Sequence, residues 1–227
     1  TIQEEGYEEN GRVSVGIVCA APHMSLLDVF YFAYRWLPCF VAKKDVRDMP
    51  VIGFLAVGLH AIFIDRNADA KAKAGYKDQI RLFASDPKLP PLLLFPEGTC
   101  TNGEALITFK RGSFEPGVDI LPVCMKYGGK LNPAAVGRNS GILFLLRVLY
   151  QWSNTLSVQV LPLYSPSEEE KKDPILFAAN VQELMGKHSG IPSTRHSLAD
   201  MWFYQKIVDD ELPEDVFQFV FAELYEY

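Results

Sequence analysis

Short apolar runs alternate along the chain with stretches whose apolar residues recur at helical spacing. The runs predict buried strands at 12–20, 39–42, 61–64, 92–95, 120–125 and 157–163. The helical spacing predicts helices at 25–36, 50–59, 69–85, 174–187, 198–208 and 213–225, with a further apolar helix late in 131–152. Strands that alternate with helices indicate an α/β layer fold, with a mostly parallel central sheet flanked by helices.

Composition and charge divide the chain into three predicted parts. Residues 1–10 contain four glutamates and no lysine or arginine, which predicts a solvated acidic tail. Residues 11–192 hold the alternating elements of the main domain, and the acidic, aromatic residues 193–227 form a predicted C-terminal helical extension. Residues 11–130 carry 15 basic and 11 acidic residues, a net charge of +4 in a chain of net charge −6. This basic excess suits a phosphorylated ligand, although an ordinary solvated surface would also account for it.

The same pattern disfavours a membrane span and a metal site. No run reaches the roughly 18 apolar residues that a spanning helix needs. The longest candidates, 26–40 and 141–152, are interrupted by charges, and either is a candidate for docking at a membrane interface instead. The four cysteines lack paired CxxC spacing, so a zinc site is not expected and a reducing compartment is the default. No D-x-D-x-D-G calcium loop occurs either.

His23 and Asp28 provide the first candidate chemistry, five positions apart and just after the first apolar strand. On one continuous helix, that spacing would turn the two side chains about 140° apart. They can meet if Ser25 caps a helix and Asp28 lies in its first turn. Asp28 would then fix the imidazole tautomer and leave the other nitrogen free as a base. The alternative is that Asp28 only completes a capping box and His23 is an ordinary loop residue.

A second polar loop, Phe95-Pro96-Glu97-Gly98-Thr99-Cys100-Thr101-Asn102-Gly103, follows another apolar strand. Its glycines permit close backbone approach, and its hydroxyl and amide groups can hold phosphate or hydroxyl oxygens. Arg66 ends a third strand with a guanidinium that suits phosphate, and Lys110 follows the second loop. Taken singly, each is equally compatible with a surface turn. His23, Arg66 and Glu97 all fall at the carboxyl ends of predicted strands, where active sites of α/β sheets lie.

Together and in this order, the motifs resemble the four blocks of the glycerolipid acyltransferase family, the lysophosphatidic acid acyltransferase-like proteins. The family's H-x4-D block is matched by His23 and Asp28, its arginine by Arg66, its F-P-E-G-T block by residues 95–99, and its later proline by Pro122. The resemblance covers residues 11–192. The stretches FPEGTCTNG and LPLYSPSEEEKKDP are most similar to lysophosphatidylcholine and lysophosphatidylethanolamine acyltransferases.

The resemblance implies acyl transfer from acyl-CoA to the free hydroxyl of a lysophospholipid, with His23 as the general base and Asp28 as its orienting partner. The residues implied to bind the acceptor or a phosphate are Arg66, Glu97, Gly98, Thr99 and Lys110, with Lys43 as a further candidate. Because a carboxylate repels phosphate, Glu97 is expected to accept from a hydroxyl, or to orient Arg66 or a backbone N–H.

The family also implies the partners. No metal and no cofactor are expected, since acyl-CoA serves as a co-substrate and its thiol leaves without much acid assistance. The expected partners are acyl-CoA, a lysophospholipid and a membrane surface, and no nucleic acid. The expected location is a membrane, with the endoplasmic reticulum facing the cytosol as the predicted site and any anchor outside this chain.

Three alternatives remain open at this point. The acceptor could be glycerol-3-phosphate or lysophosphatidic acid, because headgroup choice depends on few contacts that no motif reports. The chain could be a catalytically idle lipid-binding module of the same fold, although such a module has no need of His23, Asp28, Arg66 and Glu97 together. A hydrolase that uses the same dyad is the third possibility.

Overall fold

A central seven-stranded sheet organises the part of the protein that the structure describes. The structure is a computed structural model, and it describes residues 2–6, 15–49, 52–65, 68–86, 88–128 and 149–208. The strands are β1 (Ile2–Gly6), β2 (Ile17–Ala21), β3 (Cys39–Lys43), β4 (Ile62–Ile64), β5 (Leu92–Leu94), β6 (Ile120–Gly128) and β7 (Thr155–Val160). Their order across the sheet is β1-β7-β6-β2-β5-β3-β4. Each strand predicted from an apolar run is present with altered bounds, although residues 12–14 of the predicted strand at 12–20 lie outside the described residues.

Strand direction places the carboxyl ends of five strands at one edge of the sheet. The strands β6, β2, β5, β3 and β4 run parallel to their neighbours in this order. Only β7 is antiparallel to β6, and β1 pairs in parallel with β7. The predicted α/β fold with a mostly parallel sheet is therefore confirmed. We call the edge where β2 to β6 end the carboxyl edge.

Helices cover both faces of the sheet. They are α1 (Leu26–Trp36), α2 (Ile52–Gly58), α3 (Ala70–Ser85), α4 (Glu168–Lys172), α5 (Pro174–Ser189) and α6 (Leu198–Val208), with a 3₁₀ helix at Lys44–Asp48. One apolar cluster joins the sheet to Phe32 of α1, and the other joins it to Phe177 of α5 and Ala84 of α3. The central strand β2 is buried along its whole length, as a strand covered on both faces must be.

Helix starts follow the capping residues that the sequence offers. Ser25 accepts from the backbone N–H of Leu27 and forms a capping box with Asp28, so α1 begins where the pattern predicts. Asp173 caps α5, whose first residue is Pro174, a position where proline loses no helical hydrogen bond. Within the described residues, no helix combines the length and apolar character needed to cross a bilayer.

The amino-terminal segment differs from its prediction. A solvated acidic tail was expected at residues 1–10, but Ile2–Gly6 forms the edge strand β1, paired with β7 from Leu156 to Val160. The expectation is wrong there because strand pairing satisfies backbone groups from a partner about 150 residues away, which local charge content does not report.

The carboxyl-terminal prediction is only partly within the described residues. Helix α6 has the predicted bounds, whereas the second predicted helix at 213–225 and most of the predicted apolar helix in 131–152 lie outside them. Gln182 of α5 donates to the carbonyls of Leu106 and Thr194, so the chain after residue 192 is bonded to the main domain. The division at 192/193 stays a prediction.

Close packing at Gly16 gives a first test of this fold. A Cβ on Gly16 would lie 1.8 Å from the carbonyl oxygen of Ala84, at the end of α3, and backbone cannot move aside easily. We expect Gly16→Ala to lower the free energy of unfolding by about 1–3 kcal/mol, since overpacking forces backbone shifts. Urea denaturation measures the change.

Gly75→Ala is the matched control, because Gly75 lies within α3 and a Cβ added there would meet nothing within 4 Å. It should leave stability unchanged or raise it by up to about 1 kcal/mol, the ordinary helix preference of alanine over glycine. Equal destabilisation by both variants would contradict the close contact between Gly16 and α3.

Candidate active site

His23 and Asp28 meet at the carboxyl edge, where β2 ends and α1 begins. Asp28 Oδ2 lies 2.8 Å from Nδ1 of His23. The Asp28 side chain is fully buried, whereas the His23 side chain keeps 15% of its surface exposed. Because a carboxylate only accepts, Nδ1 is the protonated nitrogen and Nε2 is left for other chemistry.

The carboxylate of Asp28 bonds to three further groups. Its Oδ2 accepts from the backbone N–H groups of Met24 at 2.7 Å and Ser25 at 3.0 Å, and its Oδ1 accepts from the hydroxyl of Tyr127 on β6. The sequence left open whether Asp28 orients the imidazole or caps α1. It does both, and the same oxygen serves both partners.

Glu97 lies beneath the histidine and holds its backbone. Its Oε2 accepts from the N–H of His23 at 2.8 Å, and its Oε1 accepts from the N–H of Ile107 at 3.3 Å. The side chain has no exposed surface, and burial raises the pKa of Glu97 to about 7 despite the two backbone hydrogen bonds. The sequence analysis expected Glu97 to contact a hydroxyl, Arg66 or a backbone N–H. The contacts that the structure describes are with backbone N–H groups.

Two more contacts fix the histidine loop against the second loop. The imidazole stacks on Phe95 with ring centroids 3.8 Å apart, and the carbonyl of His23 accepts from the N–H of Thr101 at 2.7 Å. The second loop therefore contacts His23 at three places: the imidazole ring, the backbone N–H and the backbone carbonyl of His23. The structure thus brings the two polar loops into contact, and their predicted role as one catalytic site stays a prediction.

Lys110 lies over the glycine of the second loop. Gly98 has φ +68°, a left-handed conformation that favours glycine, and a Cβ there would lie 2.5 Å from Nζ of Lys110. The N–H of Lys110 also donates to the carbonyl of Pro96 at 2.8 Å. The structure thus brings Gly98 and Lys110 together beside the half-buried Thr99.

Arg66 lies outside the described residues, so its position relative to His23 stays a prediction. Its neighbour Asp65 follows β4 at the carboxyl edge and forms an exposed ion pair with Lys44 at 3.4 Å. Lys43, the weaker phosphate candidate, ends β3 at the same edge and is exposed. The described residues contain no cluster of three or more metal-ligating side chains.

Opposing influences set the proton affinity of the imidazole. Burial lowers the pKa of His23, but hydrogen bonds to Asp28 and to the side chain of Cys100 outweigh it and raise the pKa to about 9. The raised pKa therefore favours the protonated imidazole of His23 at neutral pH. The site can hold a proton on His23, and a neutral base becomes common only at higher pH.

The sequence did not single out Tyr127, Phe95 or Cys100 as parts of the site. Tyr127 is 99 residues from Asp28, and no motif marks it. Only the strand register places it there: Cys124 pairs with Ala21, and Tyr127 lies three residues further along β6, at the same edge as His23. Phe95 and Cys100 lie within the second loop that the sequence had identified.

Comparison with known proteins identifies this arrangement. The family model described as Acyltransferase matches residues 3–126, more than half of the chain and both polar loops. The chain belongs to the acyltransferase family. The family predicted from the four motif blocks is confirmed.

Relatives of this acyltransferase include lysophospholipid acyltransferase LPEAT1 of Arabidopsis thaliana, 37% identical over 85% of this chain and 49% of the relative. Lysophosphatidylcholine acyltransferase 1 of Rattus norvegicus is 35% identical over 92% of this chain and 39% of the relative. The chain thus spans less than half the length of either. A solved structure, the 1-acyl-sn-glycerophosphate (LPA) acyltransferase PlsC from Thermotoga maritima, is 21% identical, with a TM-score of 0.48 over 81% of this chain and 71% of that chain.

Removing the Tyr127 hydroxyl tests how much its hydrogen bond to Asp28 stabilises the protein. Tyr127→Phe leaves Oδ1 of the buried Asp28 without its described donor, so we expect a loss of about 1–3 kcal/mol in unfolding free energy. Urea denaturation near neutral pH measures it. Tyr150→Phe removes a hydroxyl from an 84% exposed tyrosine and should change nothing. Equal stability of Tyr127→Phe and the parent chain would show that this hydrogen bond contributes little.

Proposed function

We propose that this chain transfers an acyl group from acyl-CoA to the free hydroxyl of a lysophospholipid, either lysophosphatidylcholine or lysophosphatidylethanolamine. The observation that carries the proposal is the imidazole of His23, which is bonded through Nδ1 to the fully buried Asp28 and keeps 15% of its side-chain surface exposed. The names of the relatives support a lysophospholipid acceptor. Lysophosphatidic acid and glycerol-3-phosphate are the alternative acceptors.

In the proposed reaction, neutral His23 takes the proton of the acceptor hydroxyl on Nε2 while the oxygen attacks the thioester carbonyl. Asp28 keeps the ring oriented and stabilises the imidazolium that forms. When the tetrahedral intermediate collapses, the carbon–sulfur bond breaks and the CoA thiolate leaves. That thiolate takes the proton back from the imidazolium, and the ester product and free CoA are released.

The second loop has a supporting part in this proposal. Glu97 has no exposed surface, so we assign it to holding the backbone of His23 rather than to contacting the acceptor. Lys110, beside Gly98, and Arg66 are the proposed cationic partners of the acceptor's phosphate. Since lysophospholipids partition into bilayers, we propose that the chain acts at a membrane surface, with the cytosolic face of the endoplasmic reticulum as the expected one.

The decisive experiment offers labelled acyl-CoA with a panel of acceptors. We expect transfer to lysophosphatidylcholine or lysophosphatidylethanolamine, and a fall of about 10²–10⁴-fold in kcat for His23→Ala, the usual contribution of a general base. His188→Ala is the matched control, because His188 is exposed near the end of α5, where its Nδ1 bonds to the carbonyl of Leu184 in the same helix.

Three results would point elsewhere. Transfer retained in folded His23→Ala would remove His23 from the mechanism. Preference for glycerol-3-phosphate or lysophosphatidic acid would select the alternative acceptors. Release of free fatty acid without any acceptor would indicate a hydrolase. Thermal melting of each variant establishes that the fold is intact.

The pH dependence follows from the raised pKa of His23. A general base works only when unprotonated, so kcat/KM should rise with pH, about tenfold per unit, and level off near the pKa of about 9. Asp28→Asn removes one group that raises this pKa and leaves the burial that lowers it. The rise should therefore move to lower pH while the plateau falls.

The measurement is the initial rate at limiting acceptor from about pH 6 to pH 10, corrected for uncatalysed thioester hydrolysis. A flat profile, or a midpoint that Asp28→Asn leaves unchanged, would argue against His23 as the group that titrates.

A further inference from the structure

Strand β6 extends past the end of its neighbour β2 and reaches the start of α1. The last residue of β2 pairs with Cys124, and β6 continues to Gly128. The extra length of β6 is held from its other side, because Tyr127 pairs with Leu156 of β7. Tyr127 therefore lies on a regular strand ladder beside the junction of β2 and α1.

The side chain of Tyr127 lies on the face of the sheet that α1 covers. Successive side chains of a strand alternate between the two faces, so Tyr127 shares its face with Val123 and Met125. Both belong to the apolar cluster that also contains Phe32 of α1, and Tyr127 packs against this cluster. The strand thus directs the hydroxyl of Tyr127 to the first turn of α1, where Asp28 is buried.

The two oxygens of the Asp28 carboxylate have different partners. Oδ1 accepts from the hydroxyl of Tyr127, whereas Oδ2 lies against Nδ1 of His23 and accepts from two backbone N–H groups. The side chain of Ser25 is a further hydrogen-bond partner of Tyr127. Since the Tyr127 hydroxyl gives its proton to Asp28, it accepts from Ser25. One carboxylate oxygen therefore serves the histidine, and the other serves the tyrosine.

Tyr127 stays protonated throughout the pH range in which the site can work. Burial and the nearby charge of Asp28 raise the pKa of Tyr127 well above its ordinary value. A permanent donor stabilises the negative charge of Asp28 and weakens the attraction of that charge for an imidazolium. Among the described residues, the other titratable side chains around His23 are Glu97 and Cys100 of the second loop.

We propose that Tyr127 is a positioning residue for acyl transfer, whose hydroxyl shares the negative charge of Asp28 and lets His23 release its proton nearer to neutral pH. Tyr127 acts through the carboxylate, because it bonds to Oδ1 while the imidazole lies against Oδ2. It lies one residue beyond the segment 3–126 that the family model matches, and outside the four motif blocks. The inference rests on the proposed function only where the reaction itself is measured.

The titration of His23 tests this charge sharing without any reaction. Imidazole NMR of the 227-residue chain with labelled histidine follows its four histidines, and His23→Ala assigns the signal. We expect Tyr127→Phe to raise the pKa of His23 by about 0.5–1, because Asp28 loses a donor. The N–H groups of Met24 and Ser25 still hold the carboxylate beside the imidazole in this variant. An unchanged or lowered pKa of His23 would overturn the proposal.

Tyr164→Phe is the matched control for the loss of a hydroxyl. Tyr164 donates to Oε1 of Glu170 at 2.6 Å, and Glu170 is only 4% exposed, so this variant also removes a donor from a buried carboxylate. Tyr164 pairs with Ile120, the first residue of β6, and thus lies at the opposite edge of the sheet from His23. Tyr164→Phe should lose stability and leave the pKa of His23 unchanged. An equal pKa shift in both variants would reject the specific role of Tyr127.

The rate of acyl transfer from acyl-CoA to a lysophospholipid gives a second readout. With Tyr127→Phe, the midpoint of kcat/KM against pH should move upward with the titration, so kcat/KM near neutral pH falls about 3–10-fold. The KM for acyl-CoA should stay the same, because Tyr127 acts through Asp28. A rate that falls equally at every pH, with an unmoved midpoint, would indicate a merely structural role. If the parent chain transfers no acyl group, the proposed function fails, and the titration alone decides whether Tyr127 controls the proton affinity of His23.

Replacement of tyrosine by 3-fluorotyrosine keeps every hydroxyl and covers the case in which Tyr127→Phe does not fold. The ring fluorine makes the phenol a stronger acid and therefore a stronger donor to Asp28. The pKa of His23 should fall in the fluorinated protein, opposite to its shift in Tyr127→Phe. Tyr164→Phe in the fluorinated protein should keep the lowered value. A pKa of His23 that fluorination leaves unchanged would contradict the charge sharing.

Discussion

The carboxylate of Asp28 is the point on which the active site depends. Four described donors converge on it: Nδ1 of His23, the N–H groups of Met24 and Ser25, and the hydroxyl of Tyr127. A fully buried charge is expensive unless its oxygens are satisfied, and these bonds satisfy both. One group thereby starts α1, orients the imidazole and ties the β2–α1 junction to β6. A substitution at Asp28 alters local structure and chemistry together.

The dyad was predictable from sequence because its geometry is local. Ser25 as a helix cap fixes Asp28 in the first turn, and His23 then lies within reach of the same carboxylate. The parallel sheet was predictable because its strands are continuous apolar runs separated by helical patterns. In both cases, the physical signal lies within about ten residues of the feature it predicts.

The features that sequence reasoning missed depend on distant pairing. Tyr127 reaches Asp28 only because β6 lies beside β2, and β1 is a strand only because β7 supplies its partner. Glu97 was identified by its motif, yet its role was ambiguous, since a carboxylate beside glycine and threonine suggests contact with a ligand. Complete burial and two backbone donors show where its oxygens point, which composition cannot report.

The imidazole of His23 influences the protonation of the buried carboxyl group of Glu97. The proximity of His23 lowers the pKa of Glu97, while burial raises it to about 7, so Glu97 is most easily ionised when the imidazolium is present. Loss of the proton from His23 removes that stabilisation and favours protonated Glu97.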